Sequence, residues 1–491
     1  VSILAYDLGA GSGRAIIGRL TDNRIVTREI HRFTNQPVKV GDRLHWDILR
    51  LYHEIQQGLI IAKQEHMLPE SIGIDSWAVD YGLIGRHGEL LGNPYHYRDW
   101  HTHGVMEKVQ DHLSKRAIFE ATGIQFLSFN TIYQLAALRQ SDSPLLSEAE
   151  RFLMIPDLLR YFMTGEMINE FTNATTTQLF NVIQGDWDRK LLSSIGIPAS
   201  WFHKPVQPGS SAGRIRSSLM VDLGIPAIPV TAVAEHDTAS AVVAVPALSG
   251  SFAYLSCGTW SLMGTEVKQP IIHEQAMKWN FTNEGGAYGT YRLLKNIMGL
   301  WIFQELKREA EREGHHYSFE QWIHHAQQAP AFAALIDPDD VLFLHAGDMR
   351  SRIRQYCRQT GQQPPDTYGA LTRCIFESLA LKYRYVLELT EQLSDQTFEG
   401  LHMVGGGIQN KLLCQWSANA IGRPVWAGPA EGSAIGNLAV QWIAQGTFKD
   451  MQEARTVIRD SFPIEIYEPE QVQAWEEAYG QFLRLITVST Q

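Results

Sequence analysis

The period of apolar and polar positions changes repeatedly along the chain. Ile3 to Tyr6 and Ala15 to Leu20 are apolar runs joined by Asp7 and a glycine-rich connection, a pattern that predicts a β-hairpin. Residues 47–65, DILRLYHEIQQGLIIAKQE, carry helical spacing, whereas 71–84, SIGIDSWAVDYGLI, reads as strands around a turn. Between Trp100 and Gly165 the pattern is mostly helical, with breaks at Gly123 and Pro144, and 197–215 is rich in turn residues. At 225–245 a strand ends in Glu235-His236-Asp237 and a helix of small residues begins. The stretch 250–264, GSFAYLSCGTWSLMG, repeats the opening logic of strand, turn and strand, and Ala253-Tyr254 echoes Ala5-Tyr6. Two strand-turn-helix units follow, at 398–422 and 423–446. The alternation predicts an α/β fold. An internal echo about 250 residues apart predicts two similar halves, 1–245 and 246–491.

At 491 residues, two domains are the ordinary expectation. A composition of 44% hydrophobic and 19% charged residues is that of a globular protein. A net charge of -11 without clustered Lys or Arg argues against a nucleic-acid groove, so an anionic ligand would need local donors. No apolar stretch approaches bilayer length and no basic leader precedes the first strand, which predicts a cytoplasmic protein with no membrane partner. Cys257, Cys357, Cys374 and Cys414 lack the spacing of a zinc site or a disulfide framework; Cys357 and Cys374 would pair only if their segments meet.

Three Gly- or hydroxyl-rich turns stand at strand ends, at 9–13, 256–261 and 405–407. The first is neither a dinucleotide fingerprint, which needs glycine where Arg14 stands, nor a P-loop, since no lysine occurs before Lys39. A hairpin of this kind can aim backbone N–H groups at an anion, with Gly11 and Gly13 allowing close approach and unusual φ/ψ. Ser12 and Arg14 add donors, and Asp7 could hold a metal ion nearby. An ordinary glycine turn fits the same residues. Asp237 likewise has two readings, as a carboxylate facing a site or as the N-cap of a helix starting at Thr238. His236 alone reads as a structural histidine. Asn296, Leu300 and Gln304 would fall along one face of a helix, which is also the pattern of a solvated stripe. Most of the thirteen tryptophans are expected in the core.

Together, DLGAGSGR at 7–14, LSCGTWS at 255–261 and VGGGIQN at 404–410 resemble the two phosphate motifs and the adenosine motif of the FGGY sugar kinases, over nearly the whole chain. The resemblance implies two actin/hexokinase-like (ribonuclease H-like) domains around a central cleft, with ATP as co-substrate and Mg²⁺. Longer segments, at 123–135, 172–179, 234–242 and 283–301, are similar to the branch of that family acting on L-rhamnulose. They imply phosphoryl transfer from MgATP to the 1-hydroxyl of that sugar. By the same resemblance Asp237 is the general base, a suitable role because a sugar hydroxyl must lose its proton as the phosphoryl group arrives. It makes His236, Thr238, Asn296 and the backbone at Ala78 sugar contacts. Ala10, Gly11, Ser12, Gly13 and Arg14 become phosphate donors, Thr259 and Gln304 ATP contacts, Gly406 the adenosine contact and Asp7 the Mg²⁺ partner, through water. Two positions depart from the family pattern: Ala78 stands where glycine is usual, and Gly11 where serine is common.

Rival expectations keep the fold and change the ligand. A kinase for L-fuculose, L-xylulose or glycerol would differ by a few polar contacts, and the superfamily also contains ATP-driven chaperones and filament proteins. The segment AEHDTAS at 234–240, with its candidate base, favours a kinase over these last.

Overall fold

In the computed structural model, which describes residues 2–488, the opening run forms the strand Ser2–Leu8. It pairs antiparallel with Ser12–Thr21 and parallel with Ile72–Ser76. Ile3, Leu4, Ala5, Tyr6 and Leu8 are all buried, as a continuous apolar run requires of a strand covered on both faces. The helix Ile48–Gln64 starts at Asp47, whose side chain accepts from Arg50 N–H. It buries Ile48, Leu51, Ile55, Leu59 and Ala62 at helical spacing. The helix docks on the first strand where Tyr6 Oη donates to Ile55 O at 2.7 Å. A Cβ on Gly58 would stand 2.7 Å from that same hydroxyl, so glycine sets the approach.

The chain forms two compact units, neither continuous in sequence. One comprises Val1–Leu248, Glu266–Leu293 and Glu431–Phe462; the other comprises Ser249–Thr265, Leu294–Ala430 and Pro463–Gln491. In the first, the strand order is Ser210–Arg214, Pro229–Ala232, Ile72–Ser76, Ser2–Leu8, Ser12–Thr21, Arg24–Thr34. The other, seven-stranded sheet repeats it as Glu465–Tyr467, Val425–Ala427, Leu401–Val404, Ala253–Cys257, Trp260–Val267, Tyr291–Met298, and adds Thr282–Gly285 at its far edge. In each, three parallel strands lie beside an antiparallel hairpin and an antiparallel edge strand. The echo between Ala5-Tyr6 and Ala253-Tyr254 therefore marks the same strand of two sheets of one topology.

The core of the first unit joins residues far apart in sequence. Ile3, Ala5, Ile16, Val233, Ala239, Val243, Leu438, Trp442 and Ile458 belong to one buried cluster. The helices Asp237–Val243 and Gly432–Ala444 cross within it at backbone distance, since a Cβ on Gly436 would lie 1.7 Å from Ser240 O.

Two local expectations are corrected. The region from Trp100 to Gly165 contains the strand Ala149–Met154, because Phe152, Leu153 and Met154 pair with Tyr81–Gly85 instead of continuing a helix. Asn296, Leu300 and Gln304 do not share a helix: Asn296 lies in the strand Tyr291–Met298, and the helix Trp301–Arg312 starts only after a turn. Gly299 forces that turn close to the neighbouring strand, where a Cβ would meet Ser261 N at 2.7 Å.

Gly436→Ala should lower unfolding stability by at least the ~1–3 kcal/mol typical of overpacking, measured by denaturant titration. Gly480→Ala, in open space on the helix Val472–Val488, should be neutral or stabilising. Equal effects at the two positions would show that the helix crossing is not tight.

Candidate active site

Within the first unit the glycine turn links two strands, with Gly9 N–H donating to Ser12 O at 2.9 Å. Asn35 braces it from outside, its amide donating to Gly9 O at 2.8 Å and its N–H to Gly11 O at 3.1 Å. None of Gly9, Gly11 or Gly13 adopts a left-handed φ, which corrects the expectation of unusual backbone angles. Gly13 is required by packing, since a Cβ would meet the Phe33 ring at 2.3 Å; Gly11 is exposed with nothing near its Cβ position. Ala10 and Ser12 are half-buried. Arg14 is already engaged: its Nε donates to Asp7 Oδ2 at 3.0 Å and its Nη1 pairs with Glu431.

Asp7 faces Asp75 across the parallel strands. Asp75 is fully buried, its Oδ2 accepts from Asn437 at 2.6 Å, and its Oδ1 has no partner among the described residues. Burial pushes the Asp75 carboxyl well up, and the Asp7 charge adds to this. An orphaned buried oxygen beside a second carboxylate suits a cation. Among the described residues no group of three or more His, Cys, Asp or Glu is arranged to hold a metal unaided.

Asp237 is the first residue of its helix and His236 the N-cap, so Asp237 is not the cap of a helix starting at Thr238. Its Oδ1 accepts from Thr238 N–H at 2.6 Å and Thr238 Oγ1 at 3.2 Å, and His236 Nε2 lies 3.4 Å away. No donor among the described residues reaches Oδ2, and the side chain is 26% exposed. Burial raises the Asp237 pKa. A second charged layer, fully buried, fixes this segment from behind. Arg160 donates to Glu235 at 2.8 Å and Asp157 at 2.9 Å, while Glu170 accepts from the N–H groups of Thr172, Asn173 and Glu235.

Ala78 lies in a tight turn in which Asp80 N–H donates to Ala78 O at 2.8 Å, with Val79 at φ 64°. A β-branched residue there is strained. Asp80 holds the turn, accepting from Trp46 Nε1 at 2.6 Å, Trp77 Nε1 at 3.0 Å, Tyr97 N–H at 3.2 Å and Gln134 at 2.8 Å. Burial pushes its carboxyl up to about 7 against those four hydrogen bonds.

Three of the long segments and residues 283–293 of the fourth meet in this unit. Thr172 Oγ1 accepts from His236 N–H at 3.1 Å and Thr175 Oγ1 from Gly285 N–H at 2.7 Å. Asn130 donates to Gln178 at 3.0 Å, and Asn283 to Gly123 O at 3.2 Å. Arg292 and Glu284, which sequence reasoning passed over, flank His236 at 3.0 Å and 3.2 Å. Arg292 carries one sequence signal, a charged side chain inside an apolar-rich strand, whereas Glu284, in Thr-Asn-Glu-Gly, carries none of that kind.

The second unit holds the remaining candidates. Thr259 Oγ1 donates to Gln304 Oε1 at 3.4 Å, and Trp301 N–H donates to Thr259 O at 3.0 Å. In the third turn Gly405 needs its φ of 90°, and a Cβ on Gly407 would strike Cys257 Sγ at 2.3 Å. Gly406 has neither constraint and opens onto empty space. A turn that is bare for no internal reason is free to accept a ligand. Asn296 is half-buried and belongs to this unit, apart from the other sugar candidates. All four cysteines are free and buried; Cys357 and Cys374 lie near enough for their thiols to influence each other.

Comparison with known proteins bears on these observations. Residues 2–244 match the FGGY family of carbohydrate kinases, N-terminal domain, and residues 253–445 its C-terminal domain. A rhamnulokinase from Bacteroides thetaiotaomicron is 44% identical over 481 residues, 98% of each chain. One from Bacillus subtilis is 42% identical over 468 residues, 95% of each. Among solved structures, a ligand-bound xylulose kinase from Lactobacillus acidophilus superposes with a TM-score of 0.81 at 16% identity, covering 99% of this chain and 98% of that one. A Plasmodium falciparum glycerol kinase with ADP gives 0.73 at 15%, covering 99% and 98%. These two establish the fold. No helix among the described residues is long and apolar enough to cross a membrane.

Burial raises Glu170 to about 7, from the ~4.3 of an exposed glutamate. Folding therefore takes up a proton in that interval, and the stability it contributes, complete below about pH 4, is lost as pH rises through about 7. Glu170→Gln should show a shallower fall in Tm than the parent between about pH 5 and pH 8. Parallel curves in differential scanning calorimetry would exclude this role for Glu170.

Proposed function

The chain belongs to the FGGY family of carbohydrate kinases, and from that premise we propose that it phosphorylates L-rhamnulose on its 1-hydroxyl, with ATP as donor. The observation that carries the substrate is 44% identity over 98% of the chain with a relative named rhamnulokinase. On this reading the protein works in the cytoplasm on free sugar and nucleotide.

The sugar contacts are His236, Thr238 and the Ala78 backbone, braced by the long segments, and the family resemblance adds Asn296. Asp237 accepts the proton of the sugar hydroxyl on Oδ2, the oxygen no protein donor occupies. As that O–H bond breaks, the sugar oxygen bonds to the γ-phosphorus. The bond from phosphorus to the β,γ-bridging oxygen breaks, and its electron pair leaves with ADP. The Thr238 donors on Oδ1 fix the carboxylate so that Oδ2 stays turned outward. Ala10, Gly11, Ser12, Gly13 and Arg14 supply donors to the phosphates, Thr259 and Gln304 contact ATP, and Gly406 admits the adenosine. Asp7, with Asp75 beside it, would hold Mg²⁺, which when bound offsets phosphate charge.

In a coupled ADP-release assay across ketoses and polyols, L-rhamnulose should give the highest kcat/KM; a preference for xylulose or glycerol overturns the substrate. Asp237→Asn preserves size and should cost ~10²–10⁴-fold in kcat with little change in Tm. Near-parental turnover in a folded variant removes Asp237 from the role of base.

A further inference from the structure

His236 is 4% exposed, and each of its ring nitrogens faces a different partner. Nε2 lies 3.4 Å from Asp237 Oδ1, while Nδ1 lies 3.0 Å from Arg292 Nη2, aligned for a hydrogen bond. A guanidinium can only donate and does not lose its proton in a protein. Nδ1 must therefore be the acceptor, and the ring proton resides on Nε2. Glu284 Oε2 is 3.2 Å from both Nδ1 and Arg292 Nη2, but out of line for a hydrogen bond with either. It serves as the counter-charge of a guanidinium that is wholly buried. Arg292 is in turn oriented by its Nε, which donates to Gly285 O at 2.9 Å. Gly285 is anchored by Thr175.

We infer that Arg292 and Glu284 are positioning residues that hold His236 as the neutral Nε2–H tautomer, so that Asp237 Oδ1 meets only donors and Oδ2 alone is left to take the substrate proton. The inference rests on Asp237 acting as the base. Two hydrogen bonds then reach Oδ1, from Thr238 N and Thr238 Oγ1, and the His236 Nε2 proton stands 3.4 Å away as a favourable charge contact. The opposite tautomer would turn a bare Nε2 lone pair toward the carboxylate and set an N–H against the Arg292 N–H. Both contacts are repulsive. Which ring nitrogen is protonated is commonly set by the hydrogen bond the other one makes.

The test is the tautomer itself, read from long-range ¹H–¹⁵N correlation spectra of the full chain labelled with ¹⁵N-histidine, at about pH 7.5 without ligands. The His236 signals are assigned by their loss in His236→Gln. The expected parent pattern is an unprotonated Nδ1 and a protonated Nε2. Arg292→Met alone would strand the Glu284 carboxylate, so it is paired with Glu284→Gln. This double variant should move His236 toward the Nδ1–H form and lower kcat on the order of 10-fold or more, with the KM for ATP unchanged. Arg292→Lys, which keeps a charged donor, should restore the parental spectrum and most of kcat. An Nδ1–H or doubly protonated His236 in the parent overturns the inference, as does an unchanged spectrum and kcat in the double variant. Should that variant not fold, the parent and Arg292→Lys spectra decide. The spectra do not depend on which sugar is turned over, so a failed substrate assignment is distinguishable from a failed tautomer.

Discussion

Arg160 is completely buried among Asp157, Glu170 and Glu235, and the geometry of the segment leading to Asp237 follows from how that charge is balanced. Two of these carboxyls, Asp157 and Glu235, share the guanidinium, and Glu170 stands in its field. Burial raises the pKa of each acid while the arginine opposes ionic loss, so the cluster retains protons that exposed carboxyls would release. Glu170 accepts from the N–H groups of Thr172, Asn173 and Glu235, which sets the backbone immediately before His236 and Asp237. Removing one partner would leave a buried charge uncompensated, a far larger cost than the net worth of the pair. Such a network is better understood as a device for holding a strand end in place than as a source of stability.

The same logic recurs at each level around the site. Asp80 spends both carboxylate oxygens on holding a strained turn, so that the Ala78 backbone is presented without a side chain of any length. Asn35 braces the glycine turn by filling two of its carbonyls. In the second unit Gly405 and Gly407 are glycines for internal reasons, conformation in one and packing against Cys257 in the other. Gly406 stands between them with no such reason. The contrast separates glycines required by the fold from one that the fold leaves bare.

Arg14 illustrates how a residue acquires a further meaning in place. As a donor beside a glycine turn it reads as a phosphate ligand, and in the fold its Nε and Nη1 also pair with Asp7 and Glu431. It links the hairpin to the N-cap of the helix Gly432–Ala444 and neutralises carboxylates that would otherwise repel phosphate. Asp237 is similar. Its place at a helix start was legible, but the cap is His236, and only the hydrogen bonds to Oδ1 reveal which oxygen remains available.

What the sequence determined by itself is what local periodicity and backbone chemistry encode. Apolar runs broken by glycine turns marked both hairpins, helical spacing marked 47–65, and the echo of Ala-Tyr dipeptides marked two sheets of one topology. The motif residues could be named because they cluster within a few positions. Tertiary structure decided the partners of buried charge. Asp75 and Asn437 meet across 362 positions, and Arg292 and His236 across 56, on elements with no local pattern in common. A charged residue in a buried strand announces that it needs a partner, but not where along the chain that partner lies. The start of the helix after Asn296 was hidden for a related reason. Residues 291–298 carry apolar side chains in a run that either period accommodates, and the neighbouring strand, through its close approach at Gly299, selected the extended form.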